Sequence, residues 1–413
     1  RLWLPSCGNR GAYRKSSQYR SEILLPPLFL GENRLRKNKT NPFWKAAMSR
    51  LLTIIKKTTL ACALTFLGSS LASAAEGDAL TLAWTYDTGK PINIAPLVAG
   101  DLVLTVPTDG PLIAFDATSG DVKWQYAPKE GVWDRGFSAY GEQVFVCIEG
   151  GKMVALNRAD GKPQWTADLG INCQRPSHFA DDAIFVSTTF VGPGLPADPL
   201  TGAKLFSINR ADGKINWSYT TEEYLLQTAT SFGDTVYVAG SYSDPAYTAE
   251  EGGPARYHAL DKATGRHKWT HVSIEGTPKA LYATADMLTF IAYQDFVYGL
   301  DVNTGEVVWT RDSENWVPSL TGYEDMVYFG SATTYVHAWS THDGKELWRY
   351  NIPGRPFDYL LIKPIVDGDQ LLFMSQRGHV YAVDRLKGEQ LWTYPTGMNS
   401  RVGISYGNGH LYM

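Results

Sequence analysis

Cysteine is scarce in this chain: it has four, and only Cys147 and Cys173 lie beyond residue 75. This number is too small for a fold held together mainly by disulfides. The sequence contains neither paired C-x-x-C nor H-E-x-x-H, the common ligand spacings of zinc sites. It also lacks a glycine-rich phosphate loop and a G-x-S-x-G serine motif. The motifs of the common metal, nucleotide and serine enzymes are therefore missing.

Long hydrophobic runs are also missing after residue 75, where no apolar stretch reaches the ~20 residues that cross a bilayer as a helix. The marked apolar segment 60–71 follows Met48 and three basic residues, and it precedes Ala72-Ser73-Ala74. This order is typical of a secretory signal peptide over 48–74, with a buried core helix as the alternative. Lipidation of Cys62 is the less favoured outcome, because Thr59 stands where lipoprotein signals usually have Leu. We therefore expect an exported, periplasmic chain without a membrane anchor.

Acidic residues are rare at the start of the chain. Residues 1–47 contain ten Lys/Arg and two Asp/Glu, although the formal net charge of the whole chain is −4. The remainder is therefore acidic, which argues against nucleic acid or anionic lipid as the main partner. We interpret 1–47 as a disordered extension upstream of the true start, with a transit peptide as the alternative.

The chain does contain a repeat. Seven segments of equal length align without gaps: LIAFDATSGDVKW (112–124), MVALNRADGKPQW (153–165), LFSINRADGKINW (205–217), YHALDKATGRHKW (257–269), VYGLDVNTGEVVW (297–309), VHAWSTHDGKELW (336–348) and VYAVDRLKGEQLW (380–392). The repeated glycines are Gly120, Gly161, Gly213, Gly265, Gly305, Gly344 and Gly388. The repeated tryptophans are Trp124, Trp165, Trp217, Trp269, Trp309, Trp348 and Trp392.

Each position of the repeat has a physical reason. The alternating apolar residues predict a strand, and the Asp, Asn or Ser that follows can accept hydrogen bonds from the turn backbone. Glycine four residues later supplies the positive φ that closes a hairpin. A tryptophan on the returning strand can fill the wedge between neighbouring sheets, because one small sheet cannot bury it alone.

A second strand precedes every hairpin, as in DLVLTV (101–106) and TVYVAG (235–240), and the sequence leaves room for one more. Four antiparallel strands per unit predict an all-β propeller. Trp84 resembles the end of another hairpin, and the residues after Trp392 resemble the start of a further unit. We therefore predict eight blades, the last incomplete and closed by a strand around 81–84, in a fragment truncated at both ends. Seven blades are the alternative.

The hairpins resemble the pyrroloquinoline-quinone (PQQ) repeat, with YHALDKATGRHKW and VYGLDVNTGEVVW fitting best. The resemblance covers nearly all of residues 80–413, and we predict a propeller domain over 79–413. It implies a propeller but not one activity, because two groups share the repeat. One is the quinoprotein dehydrogenases. The other is the non-catalytic propellers typified by the lipoprotein of the outer-membrane β-barrel assembly machinery, which has a scaffolding role.

The dehydrogenase alternative implies a quinone bound with calcium. Many of those enzymes stack the quinone on a disulfide between adjacent cysteines, and this chain has no Cys-Cys pair and no C-x-x-C-H haem motif. Acids that could hold calcium or act as a base are present, but loop carboxylates are usual in propellers. They are Asp134, Glu222, Asp295 and Asp358. We therefore expect no catalytic residues, cofactor or metal, and keep PQQ with calcium as the alternative.

Cys147 and Cys173 fall on neighbouring predicted blades. In an oxidising compartment they could form a disulfide, and two buried free thiols are the alternative.

Two blades have long insertions, at 191–203 and 241–255, on the face that also receives the connections after each Trp. Long loops on a rigid scaffold often carry function, although drift in loop length is the alternative. Aromatic and arginine side chains of the kind that dominate protein contacts occur there. These candidates for a partner-binding face are Trp133, Arg135, Arg175, Tyr224, Tyr242, Tyr247 and Trp316. We expect a monomeric scaffold that binds a protein in the cell envelope, and a sugar- or peptide-binding propeller is a further alternative.

Overall fold

The computed structural model describes residues 80–189, 202–223, 225–241, 254–273, 278–292, 296–332, 334–353, 359–360, 363–397 and 402–413. All regular secondary structure within these ranges is β-strand, so the described chain has no helix that could span a membrane. The predicted extension 1–47 and signal peptide 48–74 lie outside the described residues.

In chain order the strands are β1 (Leu97–Ala99), β2 (Leu102–Thr105), β3 (Leu112–Asp116), β4 (Val122–Tyr126), β5 (Val132–Tyr140), β6 (Gln143–Ile148), β7 (Lys152–Asn157), β8 (Pro163–Asp168), β9 (His178–Ala180), β10 (Ala183–Ser187), β11 (Lys204–Asn209), β12 (Ile215–Thr220), β13 (Leu225–Leu226), β14 (Thr230–Phe232), β15 (Thr235–Ser241), β16 (Ala255–Asp261), β17 (His267–Ser273), β18 (Leu281–Ala283), β19 (Met287–Ile291), β20 (Phe296–Asp301), β21 (Val307–Asp312), β22 (Leu320–Tyr323), β23 (Met326–Gly330), β24 (Tyr335–Ser340), β25 (Glu346–Asn351), β26 (Ile365–Asp367), β27 (Gln370–Met374), β28 (His379–Asp384), β29 (Gln390–Pro395), β30 (Ser405–Gly407) and β31 (His410–Tyr412).

The described strands form seven antiparallel blades, in which consecutive strands pair. Blades 1 to 3 comprise β1–β4, β5–β8 and β9–β12, and blades 5 to 7 comprise β18–β21, β22–β25 and β26–β29. Blade 4 comprises β13–β17, with its first strand split into β13 and β14, which both pair with β15. The prediction of an all-β propeller with four-stranded antiparallel blades is confirmed.

The predicted count of eight blades is wrong: the described strands form seven blades, the number given as the alternative. The last strands, β30 and β31, form a separate two-stranded sheet. Residues 80–86 form no strand, and Trp84 instead packs its ring on Phe115 and Tyr412. Its indole also donates a hydrogen bond to the Ala117 carbonyl oxygen (3.1 Å). An indole can dock on a neighbouring blade without belonging to a sheet, so an eighth tryptophan did not imply an eighth blade.

The first strand of each blade lies nearest the central axis. Contacts join the first strands of successive blades, as between β1 and β5, β18 and β22, and β22 and β26. The second and third strands are almost wholly buried, whereas the fourth alternates between exposed and packed residues. The order from axis to rim is therefore the order of the chain, and the core lies between neighbouring sheets.

The repeated tryptophans join each blade to the next. Their indole N–H groups donate to backbone carbonyl oxygens of the following blade: Trp124 to Arg158 (2.8 Å), Trp165 to Arg210 (2.9 Å), Trp217 to Lys262 (3.2 Å), Trp269 to Val302 (2.8 Å), Trp309 to Thr341 (2.9 Å) and Trp348 to Arg385 (3.0 Å). Each of these rings covers the repeat glycine of that blade. Trp392 differs, because its N–H donates to the Gln370 side chain in its own blade (3.2 Å).

The turn before each Trp strand is stabilised by its Asx residue. In blade 1 the Asp116 carboxylate accepts hydrogen bonds from the backbone N–H groups of Thr118 (3.0 Å) and Ser119 (2.9 Å). The Ser119 N–H and the nearby Lys123 ammonium lower the pKa of Asp116 to about 2. The carboxylate therefore stays ionised and holds the turn at any physiological pH.

The propeller has two different faces. One face, here called the turn face, carries the turns between first and second strands and between third and fourth strands. The opposite face, here called the loop face, carries the connections between second and third strands and between successive blades. Of the predicted partner-binding residues, Trp133, Arg135, Arg175 and Trp316 are described, and they lie in or next to connections on the loop face.

Candidate partner-binding cleft on the loop face

The first strand of blade 2 bulges outwards on the loop face. Val132 pairs with Ile148 and Phe137 pairs with Val146, so the residues between leave the regular ladder. Such a bulge re-aims side chains at a sheet edge. It presents Trp133, Asp134 and Arg135, whereas a regular strand would direct alternate side chains to the two neighbouring blades.

A disulfide between Cys147 and Cys173 supports this bulge. Cys147 lies in β6, and Cys173 lies in the connection from blade 2 to blade 3. Both residues are fully buried, with a Cα–Cα distance of 5.6 Å. A Cβ atom at Gly136 would come within 2.7 Å of the Cys147 Cβ, so the bulge packs directly on the disulfide. The connection that carries Arg175 is thus held against blade 2.

Three of the predicted residues line one cleft of about 430 Å³ at this place. They are Trp133, Arg135 and Arg175. A β-bridge between Thr189 and Leu225 joins the wall contributed by blade 3 to that of blade 4. The lining consists of Trp133, Asp134, Arg135, Gln174, Arg175, Thr189 and Leu225. Blades 2, 3 and 4 therefore build the cleft together.

The cleft carries positive charge that the described residues do not neutralise. Arg135 is exposed and Arg175 is half-buried, and neither forms an ion pair within the described part of the chain. Burial lowers the pKa of Arg175, and the neighbouring charge of Arg135 lowers it further. Asp134 lies beside them and accepts a hydrogen bond from the Asn93 side chain (3.3 Å). The two guanidinium groups are available to carboxylates of a partner.

Buried polar groups near the cleft lack hydrogen-bond partners among the described residues. They are the indole N–H of Trp133 and both polar side-chain atoms of the fully buried Asn172. The Asn172 carbonyl oxygen accepts a hydrogen bond from the Thr189 N–H (2.8 Å), which places Asn172 behind the cleft wall. Unsatisfied buried groups of this kind are uncommon in folded proteins, and an ordered water or a partner group often satisfies them.

The other predicted partner-face residues lie elsewhere. Trp316 belongs to the connection before blade 6; it is 38% exposed, and the Lys279 ammonium lies 4.4 Å from its ring centre. Tyr224, Tyr242 and Tyr247 lie outside the described residues. Sequence reasoning missed Asn172, Thr189 and Leu225, because no motif or periodicity marks residues that meet only when three blades stack.

A second groove, of about 340 Å³, lies between blades 5 and 6. Its charged groups pair with one another: Glu346 accepts from the His337 ring (2.8 Å) and from the Arg349 guanidinium (2.7 Å). Because these charges are already balanced, the groove is a weaker candidate for a partner that binds through charge.

The acids considered for calcium or base chemistry do not gather. Glu222 pairs with Arg256 (2.6 Å), whereas Asp134 lies in the cleft described above. Asp295 and Asp358 lie outside the described residues. Within the described ranges no group of three or more His, Cys, Asp or Glu side chains is arranged to hold a metal ion.

We expect the free energy of unfolding to depend on pH through His178, which lies in the strand that follows Arg175. Burial in β9 and the charge of Lys262 lower the pKa of His178 from 6.5 to about 4. The unfolded chain therefore binds the proton more tightly, and this group reduces the free energy of unfolding as the pH falls from 6.5 towards 4. We expect the wild type to lose about 2 kcal/mol more over this interval than H178Q, in which glutamine can keep the hydrogen bond to Ser231 (2.8 Å). Urea denaturation at pH 7.5, 5.5 and 4.5 measures the difference, and equal pH dependence would contradict it.

The blades, the docked indoles and the repeat glycines define the class of this protein, which is a β-propeller of PQQ-type repeats. The model of the family described as outer membrane protein assembly factor BamB matches residues 44–183, 155–289 and 293–406. The chain belongs to this family.

Individual relatives agree with this assignment. The chain is 24% identical over 333 residues to the outer membrane protein assembly factor BamB of Shewanella oneidensis, covering 74% of this chain and 79% of the relative. The crystal structure of BamB from Moraxella catarrhalis matches the fold with a TM-score of 0.54 and 20% identity, over 78% of this chain and 90% of that one. The quinoprotein glucose dehydrogenase of Escherichia coli is also 24% identical, but the match covers 66% of this chain and 38% of the enzyme.

Proposed function

We propose that this protein is an exported, non-catalytic propeller that binds a protein partner during outer-membrane protein assembly. The family match supports this proposal, and so do relatives that are named as assembly factors. The cleft between blades 2, 3 and 4 is the observation that carries it, because it joins an aromatic wall to two arginines that form no ion pair with any described residue. Arginine and tryptophan are the residues that most often dominate protein interfaces.

The proposed location is the periplasm, with the protein monomeric and cleaved after Ala74. The signal-like segment before residue 75 supports export. Fractionation of cells that express the tagged full-length chain, followed by N-terminal sequencing, tests this proposal. A full-length product retained in the cytoplasm would contradict it.

Partner capture should depend on the cleft. A photo-crosslinking amino acid at position 135 should give a crosslink to a component of the assembly machinery in cells. The same amino acid at position 214, on the turn face, should not. R135E/R175E should weaken capture of that component by about tenfold or more, because reversing two interface charges removes attraction and adds repulsion.

The matched control for this experiment is K162E/K214E. Both lysines are highly exposed turn-face residues, and each pairs with an aspartate two residues away (2.7 and 2.8 Å). This variant has the same change in net charge but should capture the partner normally. Equal loss of partner capture in the two variants would show a general effect of net charge and would contradict a binding site in the cleft.

The second candidate is a quinone-dependent dehydrogenase, favoured by the similarity to the E. coli glucose dehydrogenase. Incubation of the purified chain with PQQ and Ca²⁺ should leave the quinone spectrum unchanged and give no dye reduction with alcohols or glucose. Robust turnover would replace the scaffold proposal with this one.

A further inference from the structure

Basic residues occupy corresponding positions in several blades, near the start of the first strand or two to three residues before it. Val146 in blade 2 and Phe290 in blade 5 are each the fourth residue of the predicted second strand. Their partners in the first strands are Phe137 and Leu281. Two residues earlier, towards the loop face, stand Arg135 and Lys279. In blade 3 His178 pairs with Phe185, which is the third residue of the predicted second strand. The residue opposite the fourth would be one position before His178, so the corresponding basic position, two residues earlier again, is Arg175.

Blade 7 adds a fourth cation close to the same level. There Ile365 pairs with Leu372, which places Lys363 one residue nearer the ladder than the basic residues of the other blades. Because the first strands surround the axis, their starting ends lie around it on the loop face, and the basic residues of blades 2, 3, 5 and 7 stand at or just before these ends. We call Arg135, Arg175, Lys279 and Lys363 the axial basic ring.

Three of these side chains can reach solvent. Arg135 and Lys363 are exposed, and Arg175 is half-buried. Among the described residues no carboxylate pairs with Arg135, Arg175 or Lys363. The Lys279 ammonium donates to the Val317 carbonyl oxygen (2.9 Å), which fixes its position at the opening.

The other end of the axis carries acids at corresponding positions. In all seven blades an acid directly precedes the second strand, in the turn between first and second strands on the turn face. These acids are Asp101, Glu142, Asp182, Asp234, Asp286, Asp325 and Asp369. Five of them are paired with basic groups: Asp101 and Glu142 with Arg158, Asp234 with Lys268, and Asp286 and Asp325 with His342. The acids of these turns therefore lie on the face opposite the axial basic ring.

We propose that the axial basic ring binds a carboxylate-rich peptide segment that enters the central opening from the loop face. This inference rests on the proposed function and names the chemistry of the partner. Four cations supplied by four blades suit a segment with several carboxylates better than a single small ion, and Trp133 and Trp316 provide aromatic walls beside them. The acidic remainder of the protein disfavours long polyanions such as nucleic acids, which would extend beyond the opening.

The test uses the purified full chain and a fluorescein-labelled hexaglutamate peptide, with hexaglutamine as the uncharged control. Fluorescence anisotropy should show saturable binding of hexaglutamate alone. Affinity should fall by about fivefold or more between 25 and 150 mM NaCl, because the attraction between charges is screened by salt. Absence of saturable hexaglutamate binding at 25 mM NaCl would overturn the proposal, and so would equal binding of the two peptides.

Two double variants locate the site. K279Q/K363Q removes two cations that lie outside the blade 2–4 cleft and should weaken hexaglutamate binding about tenfold. K162Q/K214Q removes two cations from the turn face and should change affinity less than twofold. Thermal unfolding of both variants checks that the fold is intact. Equal weakening by the two variants would show attraction to the whole surface and overturn the proposal.

Two further outcomes are separable. Displacement of hexaglutamate by inorganic pyrophosphate at equal concentration would assign the ring to phosphate chemistry and overturn the peptide proposal. Crosslinking at position 135 without hexaglutamate binding would leave the proposed function intact while rejecting this inference.

Discussion

Replacing Gly305 with alanine should lower the free energy of unfolding by about 3 kcal/mol. Gly305 has φ +74°, and an added Cβ would come within 2.5 Å of the Trp269 ring. Trp269 is buried, packs on Tyr237 and donates to Val302 in the next blade. The substitution therefore displaces a large aromatic side chain from the interface between blades 4 and 5, in addition to straining the backbone.

Gly141→Ala provides the matched control for this prediction. Gly141 also has a positive φ, +58°, but a Cβ there would meet nothing within 4 Å. Only the backbone cost remains, so we expect a loss of about 1 kcal/mol. Urea denaturation followed by tryptophan fluorescence and far-UV circular dichroism measures both variants. Equal losses would mean that the glycine serves the turn alone and not the docking of the indole.

Removing the disulfide should cost about 3 kcal/mol, because Cys147 and Cys173 close a loop with a sequence separation of 26. Equilibrium urea denaturation with and without dithiothreitol should show this difference. The C147A/C173A variant should resemble the reduced protein and should not respond to the reductant. A wild type that unfolds at the same urea concentration under both conditions would contradict the prediction.

Loss of the disulfide should also affect binding. Gly136 packs against Cys147, and Cys173 lies two residues before Arg175. The reduced protein should therefore hold the bulge and the blade 2–3 connection less firmly. Partner capture should weaken more than in Gly305→Ala, for which a similar loss of stability is expected. Unchanged capture by the folded double-alanine variant would show that the disulfide stabilises the fold alone.

Much of the fold follows from local chemistry that can be recognised in the sequence. The Asx–Gly–Trp spacing predicts a strand, a turn and a returning strand, because each residue acts within its own hairpin. The number of blades did not follow in the same way. Trp84 has the sequence context of a Trp strand, yet it docks on blade 1 without being part of a sheet. The residues next to a tryptophan do not determine whether its backbone can pair with another strand.

The candidate site shows the same division. Trp133, Arg135 and Arg175 could be selected from the sequence as aromatic and basic residues in inter-blade connections. Their meeting in one cleft depends on a bulge in β5 and on the stacking of blades 2, 3 and 4. Thr189 and Leu225 could not be selected, because they are ordinary residues that become part of a wall only through a bridge between two blades.

The sequence by itself determined the repeating unit, the pairing order of its strands and the residues that join neighbouring units, because these depend on contacts at short and constant separations. The tertiary structure alone decided the number of blades, the cleft and the collection of basic residues around one end of the axis. Those features bring together residues from separate blades, and their positions depend on how many sheets stack and at what angle, which no local pattern specifies.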